Sequence, residues 1–192
     1  MPRPILATVD LDALRHNLAR AREAARGRFV WAVVKANAYG HGLTRALRAF
    51  AEADGVALLD LDEARRARAA GWRKPILLLE GCFETADLAV CSDLDLTTVV
   101  HCGEQLEMLE HHRPAQPLSV HLKLNTGMNR LGFRPQAAVQ AYERLRGLHS
   151  VRELTLMMHF ANADRPRGAA GPVAAAEQLA EFTSITAEWP EP

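Results

Sequence analysis

The sequence predicts an α/β fold, a (β/α)8 TIM-type barrel that is truncated here to about six β/α units. Six short apolar runs alternate with helix-like segments, which is typical of parallel α/β structure. The alternation is even, and no G-x-G-x-x-G turn follows the first strand, which favours a barrel over a dinucleotide-binding fold. Such barrels usually take about 250 residues, whereas this chain has 192. We therefore expect either an incomplete barrel or a strand count that is too low.

Each predicted strand is a short, mainly apolar run, as expected for strands that are buried on both faces of a parallel sheet. The first of these runs differs from the others because a lysine stands at its end. In chain order the predicted strands are Val30–Val34, Val56–Leu59, Ile76–Leu79, Leu96–Val100, Leu118–Leu124 and Leu154–His159.

The predicted helices precede or follow these strands and carry their apolar residues at helical spacing. In the third helix, Asp62 is the expected N-cap and Gly71 the expected residue just after the C-terminus. In chain order the predicted helices are Leu11–Arg26, Thr44–Ala53, Asp62–Gly71, Gly103–His112, Gln136–Arg146 and Pro172–Glu188.

Composition narrows the class of protein. Lysine plus arginine and aspartate plus glutamate both number 23, so the charge balance gives no reason to expect a nucleic acid or an anionic membrane as partner. No apolar run reaches the roughly 18 residues of a spanning helix, and the N-terminus has no signal-peptide core. The three cysteines form no C-x-x-C pair. We expect no disulfide, no metal site and a cytoplasmic location.

The segment from Val30 to Gly42, V-W-A-V-V-K-A-N-A-Y-G-H-G, carries the strongest chemical signal. Lys35 ends an apolar strand, where a cation is costly unless it has a task. Burial disfavours the charged form of a lysine, and the neutral amine is the form that attacks a carbonyl to make a Schiff base. Lys35 is therefore the candidate reactive group, although a lysine at a strand end can also extend its amine into water.

The stretch K-A-N-A-Y-G-H-G closely resembles the cofactor-lysine motif of alanine racemases, which use pyridoxal 5'-phosphate. The resemblance implies that Lys35 binds this cofactor as an aldimine and serves as one of two catalytic bases. It also implies that Tyr39, four residues further on, contacts the cofactor phosphate.

A second segment, H-L-K-L-N-T-G-M-N-R-L-G-F, starts at His121 and forms the fifth strand and the loop after it. A guanidinium is always charged and has a rigid fork of donors. The T-G-M-N-R-L-G motif resembles the racemase arginine motif, which implies that Arg130 is catalytic, binds cofactor and substrate, and keeps the cofactor phenol ionised. The resemblance further implies that Lys123, carbamylated in many relatives, orients the arginine. Asn125 stands where many relatives have Asp, which resembles the catabolic branch of the family.

A third segment, L-T-L-M-M-H-F-A-N-A-D, starts at Leu154, and His159 is predicted to end its strand. It matches the histidine of the racemase M-x-H-F-A pattern. The resemblance implies that His159 packs beside the cofactor ring, in a positioning role rather than in proton transfer.

The resemblance extends from Pro4 to about Phe182 and matches the first half of a racemase. Residues 1–192 are therefore expected to be the incomplete N-terminal cofactor-binding barrel domain, without the C-terminal β domain. A racemase interconverts L-alanine and D-alanine, a cell-wall precursor. Its second base is a tyrosine in the C-terminal domain of the partner subunit, so the resemblance implies a homodimer and an inactive isolated chain.

Two other classes of protein remain open at this level. Single-domain barrels that bind pyridoxal phosphate and manage its supply lack a C-terminal domain and resemble this chain in length, but the T-G-M-N-R-L-G loop argues against them. A lysine Schiff-base aldolase on the same barrel would need no pyridoxal cofactor. A purely structural domain fits least, because three motifs stand at three predicted strand ends.

Overall fold

The computed structural model describes residues 3–165, 174–187 and 189. Contacts between Cα atoms divide the chain into two compact units, Met1–Leu77 and Leu78–Pro192. Strands alternate with helices in both units, and the six predicted strands are confirmed, with ends that differ by at most three residues. Among the described residues, no helix has the length and apolar content needed to cross a bilayer.

In the first unit, strand β1 pairs in parallel with β2, and Ala32 is opposite Val56. Helix α1 begins after Asp10, whose carboxylate accepts the backbone N–H of Asp12 at 2.8 Å and of Ala13 at 3.1 Å. The elements are α1 (Leu11–Ala25), β1 (Trp31–Val33), α2 (Lys35–Tyr39), α3 (Leu43–Ala49), β2 (Gly55–Leu58), α4 (Leu61–Ala69) and β3 (Ile76–Leu78), whose last residue is the first of the second unit.

The start of α4 differs from the prediction. Its N-cap is Asp60, not Asp62, because the Asp60 carboxylate accepts the backbone N–H of Glu63 at 2.7 Å. Asp62 lies in the first turn and pairs with Arg65 at 2.9 Å. Gly71 follows the helix end with a φ of 94°, as expected. The earlier start puts Glu63 on the inner side of the helix, where it is buried.

In the second unit, β4, β5 and β6 form a parallel sheet with Val120 of β5 between Thr98 of β4 and Leu154 of β6. Helix α5 was not predicted, since the segment around its apolar run L-A-V-C has little amphipathic character. The elements are α5 (Thr85–Asp93), β4 (Thr97–Val100), α6 (Gly103–His111), β5 (Leu118–Lys123), α7 (Pro135–Arg146), β6 (Val151–Met157) and α8 (Ala175–Thr186). The predicted ends of the last helix, Pro172 and Glu188, lie outside the described residues.

Candidate active site

Lys35 lies at the start of a left-handed turn. Strand β1 ends at Val33, although the N–H of Val34 still donates to the Ala57 carbonyl at 2.8 Å. Ala36, Asn37, Ala38 and Tyr39 then adopt φ values of 52°, 53°, 54° and 52°. Left-handed backbone costs a residue with a side chain about 1–2 kcal/mol. We call residues 35–42 the Lys35 turn; it is strained, and surrounding contacts must hold it.

Those contacts come from polar groups around Asn37. Its backbone N–H donates to a carboxylate oxygen of Glu63, and its side-chain oxygen accepts the N–H of Leu43 at 2.9 Å. The Asn37 carbonyl accepts the N–H of Gly42 at 2.9 Å, and the His41 ring nitrogen Nδ1 lies 2.8 Å from the Ala38 carbonyl.

Glu63 is only 5% exposed, and its other oxygen has no hydrogen-bond partner among the described residues. A buried carboxylate of α4 therefore helps to fix the turn.

The two sequence-predicted residues of this turn differ in exposure. Lys35 is half-buried, whereas the Tyr39 side chain is 60% exposed. A partly shielded amine that solutes can still reach is suited to reaction with an aldehyde. The exposed phenol of Tyr39 can donate a hydrogen bond to an oxyanion.

Arg130 lies in a loop of residues 125–132, here called the Arg130 loop. Two backbone bonds close it: Asn125 N–H to the Phe133 carbonyl and Phe133 N–H to the Lys123 carbonyl, both 2.9 Å. Inside it, the side-chain oxygen of Asn125 accepts the backbone N–H groups of Gly127 at 3.1 Å and Asn129 at 3.0 Å. The loop is therefore well ordered by Asn125, and it presents Arg130 as an exposed side chain.

Gly132 is needed where this loop returns to the strand. Its φ is 116°, and a Cβ there would lie 2.9 Å from the Asn125 nitrogen and 3.0 Å from the Lys123 carbonyl oxygen. Both are backbone atoms, which cannot move aside as a flexible side chain can. Only glycine fits this close approach.

Lys123 is a buried cation, only 5% exposed, at the end of β5. Its charge acts on His101, the residue directly after β4. Burial lowers the pKa of His101, and the charge of Lys123 lowers it further, while a hydrogen bond to the Glu80 carbonyl raises it. That bond joins His101 Nε2 to the carbonyl oxygen at 3.1 Å. The imidazole is therefore favoured in its neutral form beside the lysine.

The prediction that His159 ends the sixth strand is wrong. Strand β6 ends at Met157, since its pairing with β5 stops at Lys123, and His159 is exposed two residues later. Beyond the strand the backbone bonds to Gln178 of α8 instead. The Gln178 amide donates to the His159 carbonyl at 2.9 Å, and its oxygen accepts the Ala161 N–H at 2.8 Å.

Glu63 and Gln178 are the residues that sequence reasoning missed. The spacing Asp60-x-x-Glu63 suggests a capping box, in which the glutamate would bond back to the cap residue. In the structure Glu63 instead bonds to the Lys35 turn. Gln178 is completely buried, but a single glutamine in an amphipathic helix carries no signal that predicts burial.

Comparison with known proteins identifies a family and several similar chains. A family model described as "Alanine racemase, N-terminal domain" matches residues 9–192. The chain is 56% identical over 190 residues to an alanine racemase of Polaromonas naphthalenivorans (strain CJ2), covering 99% of this chain and 50% of that protein. It is 59% identical over 170 residues to an alanine racemase of Variovorax paradoxus (strain S110), covering 88% of this chain and 46% of that protein.

A solved structure, the biosynthetic alanine racemase from Pseudomonas aeruginosa, matches with a TM-score of 0.88 and 45% identity, covering 96% of this chain and 51% of that chain. The match confirms the predicted fold class, a TIM-type barrel represented by six β/α units. The chain spans about half the length of the curated relatives it matches. On the extent of both matches, this chain belongs to the alanine racemase N-terminal domain family.

Proposed function

We propose that the intact protein is a pyridoxal 5'-phosphate-dependent racemase that interconverts L-alanine and D-alanine. The observation that carries the proposal is the strained Lys35 turn: four consecutive left-handed residues other than glycine directly follow the candidate cofactor lysine. Strain of this kind persists only where surrounding contacts enforce it, and it clusters at functional sites. The relatives named alanine racemase support the same reading.

The residues present fit the cofactor's two chemical needs. A half-buried amine, Lys35, is available to its aldehyde, and an exposed phenol, Tyr39, is available to its phosphate. We further propose that Arg130 binds the phenolic oxygen of the cofactor and also the substrate, and that buried Lys123 orients Arg130. His159 would pack against the cofactor ring. When bound, pyridoxal phosphate supplies an electron sink for the deprotonated α-carbon of the amino acid.

Lys35 is the proposed base on one face of the substrate, which the family assigns to the D side. Its amine would remove or return the α-proton of the amino acid. Inversion needs a second base on the opposite face. We propose that the C-terminal domain of a second subunit provides it, so that the active protein is a cytoplasmic homodimer and residues 1–192 alone racemise alanine poorly or not at all.

The decisive experiment uses the intact protein. We expect racemisation of L-alanine, a visible absorption band of bound cofactor, and borohydride labelling of Lys35 by mass spectrometry. Lys35→Ala should remove both the band and the label, and Lys74→Ala, a lysine that bonds to the carbonyls of Ala51 and Ala53, should keep them.

Three outcomes would contradict the proposal. Labelling of another side chain would exclude Lys35 as the anchor. The absorption band of the cofactor without racemisation would favour a protein that only binds the cofactor. An enzyme that is active but has no such band would favour a Schiff-base aldolase.

A further inference from the structure

Gln178 of α8 connects the two segments of the second unit that carry proposed cofactor residues. Its amide nitrogen donates to the His159 carbonyl at 2.9 Å and to the Thr126 hydroxyl at 3.4 Å, and its oxygen accepts the Ala161 N–H at 2.8 Å. The side chain is 0% exposed. One buried amide thus bonds both to the segment after β6 and to the Arg130 loop.

The link to the Arg130 loop continues through Thr126. This residue is 5% exposed, and its hydroxyl, which accepts from Gln178, donates to the Met158 sulfur at 3.3 Å. Thr126 lies in the loop after β5, whereas Met158 and His159 follow β6. A hydrogen-bond chain therefore runs from α8 into the Arg130 loop and back to the segment of His159.

Glutamine suits this position because it offers donors and an acceptor in one group. A leucine there would remove the hydrogen bonds that the amide makes to the His159 carbonyl, the Thr126 hydroxyl and the Ala161 N–H, because its side chain has neither donor nor acceptor. The Arg130 loop and the segment after β6 would then no longer be held at fixed positions relative to each other. Misplacing a catalytic group by about 1 Å can cost about 100-fold in rate.

We propose that Gln178 is a positioning residue that holds the Arg130 loop and the His159 segment in one fixed arrangement for the reaction. This inference rests on the proposed function for its catalytic consequence. Its structural content, the simultaneous fixing of two segments, is independent of that function. The two parts are therefore tested by separate measurements.

Gln105 of α6 provides a matched control. It is also buried, 6% exposed, and its amide donates to the carbonyls of Glu80 at 2.8 Å and Cys82 at 3.0 Å. Its oxygen accepts the His101 N–H at 2.9 Å. The bonding pattern is similar to that of Gln178, but none of the three residues that Gln105 bonds is a proposed cofactor contact.

The experiment compares Gln178→Leu, Thr126→Val and Gln105→Leu with wild type in the intact protein. Hydrogen exchange is followed in peptides that cover residues 125–132 and 158–161. Gln178→Leu should speed exchange in both segments, whereas Thr126→Val should speed it mainly in residues 125–132. Gln105→Leu should change neither. Thr126→Val removes a single hydroxyl at nearly constant volume, so it remains informative if Gln178→Leu does not fold.

Kinetics and cofactor spectra then test the catalytic part. Gln178→Leu should lower kcat for alanine roughly 10- to 100-fold and change the circular dichroism of the bound cofactor, and Gln105→Leu should do neither at similar stability. Unchanged exchange in both segments, or equal effects of the two glutamine variants, would overturn the inference. A wild-type protein without racemase activity, together with faster exchange in Gln178→Leu, would reject the proposed function and keep the positioning role.

Discussion

Left-handed backbone occurs both in the Lys35 turn and in the Arg130 loop, but different residue types adopt it. In the Arg130 loop it falls on Gly127, Asn129 and Gly132, for which this conformation is cheap or tolerable. In the Lys35 turn it falls on two alanines, an asparagine and a tyrosine in succession, in addition to Gly40 and Gly42. The Arg130 loop is therefore unstrained because glycine and asparagine tolerate this backbone. The Lys35 turn has a strained backbone that contacts with neighbouring residues must hold in place.

This difference assigns different physical roles to the two segments. The Arg130 loop is stable because Asn125 and its glycines suit it locally. The Lys35 turn depends on groups distant in sequence, above all Glu63 of α4. Strain concentrated beside the proposed cofactor lysine is the pattern expected of a functional site. Four predictions test this difference between the two segments.

The largest effect is expected in the Arg130 loop. Gly132→Ala brings a Cβ within 2.9 Å of backbone atoms at a φ of 116°. We therefore expect the free energy of unfolding to fall by about 2–3 kcal/mol. Urea denaturation of the intact protein measures this. Gly103→Ala, at the first residue of α6, is the control, because a Cβ there meets nothing within 4 Å. Equal urea midpoints for the two variants would contradict the requirement for glycine at position 132.

The second prediction concerns the external support of the Lys35 turn. Glu63→Ala removes the acceptor of the Asn37 N–H, so the strained turn should relax and capture of pyridoxal phosphate by Lys35, trapped with borohydride, should slow about 10-fold. Relief of strain should offset much of the lost bond, so stability should change little. Glu63→Gln keeps a carbonyl acceptor and should behave like wild type. Identical trapping rates in the Ala and Gln variants would argue against this support.

The third prediction tests the strain itself by its sign. Ala36 is exposed and left-handed, so Ala36→Gly should stabilise the protein by about 0.5–1 kcal/mol. Ala19 is exposed inside the right-handed helix α1, where the same change should destabilise by about 1 kcal/mol. Thermal unfolding of both variants gives the comparison. A loss of stability in Ala36→Gly as large as in Ala19→Gly would remove the evidence for strain.

The smallest effect is a pH dependence around the strands that support the Arg130 loop. Burial lowers the pKa of His101 and also that of His121, which a nearby Glu153 opposes. Because the folded pKa values lie below the unfolded value of 6.5, this contribution is complete above pH 6.5 and is lost as the pH falls through the folded values. A double variant, His101→Gln with His121→Gln, should therefore lose less stability than wild type between pH 7.5 and pH 5. The measurement is the difference between the urea midpoints at pH 7.5 and pH 5, which should be smaller in the double variant than in wild type. An equal difference in the two proteins would refute the prediction.

Sequence patterns predicted the strands and most helices because apolar runs and helical periodicity are local signals. They failed where partners distant in sequence decide the outcome. Helix α5 has little amphipathic pattern, and the position of His159 beyond β6 depends on bonds to Gln178. The start of α4 was misplaced because Asp60 and Asp62 are equally acceptable caps by residue type; the hydrogen bond from the Glu63 N–H to the Asp60 carboxylate identifies Asp60 as the cap.

By itself the sequence determined the alternation of strands and helices, and its motifs indicated Lys35, Tyr39, Lys123, Arg130 and His159 as candidate residues, since both depend on short stretches of chain. Tertiary structure alone decided that the turn after Lys35 is left-handed and that Glu63 and Gln178 are buried. The reason is physical: a strained backbone and a buried polar group persist only through hydrogen bonds to partners that folding brings close.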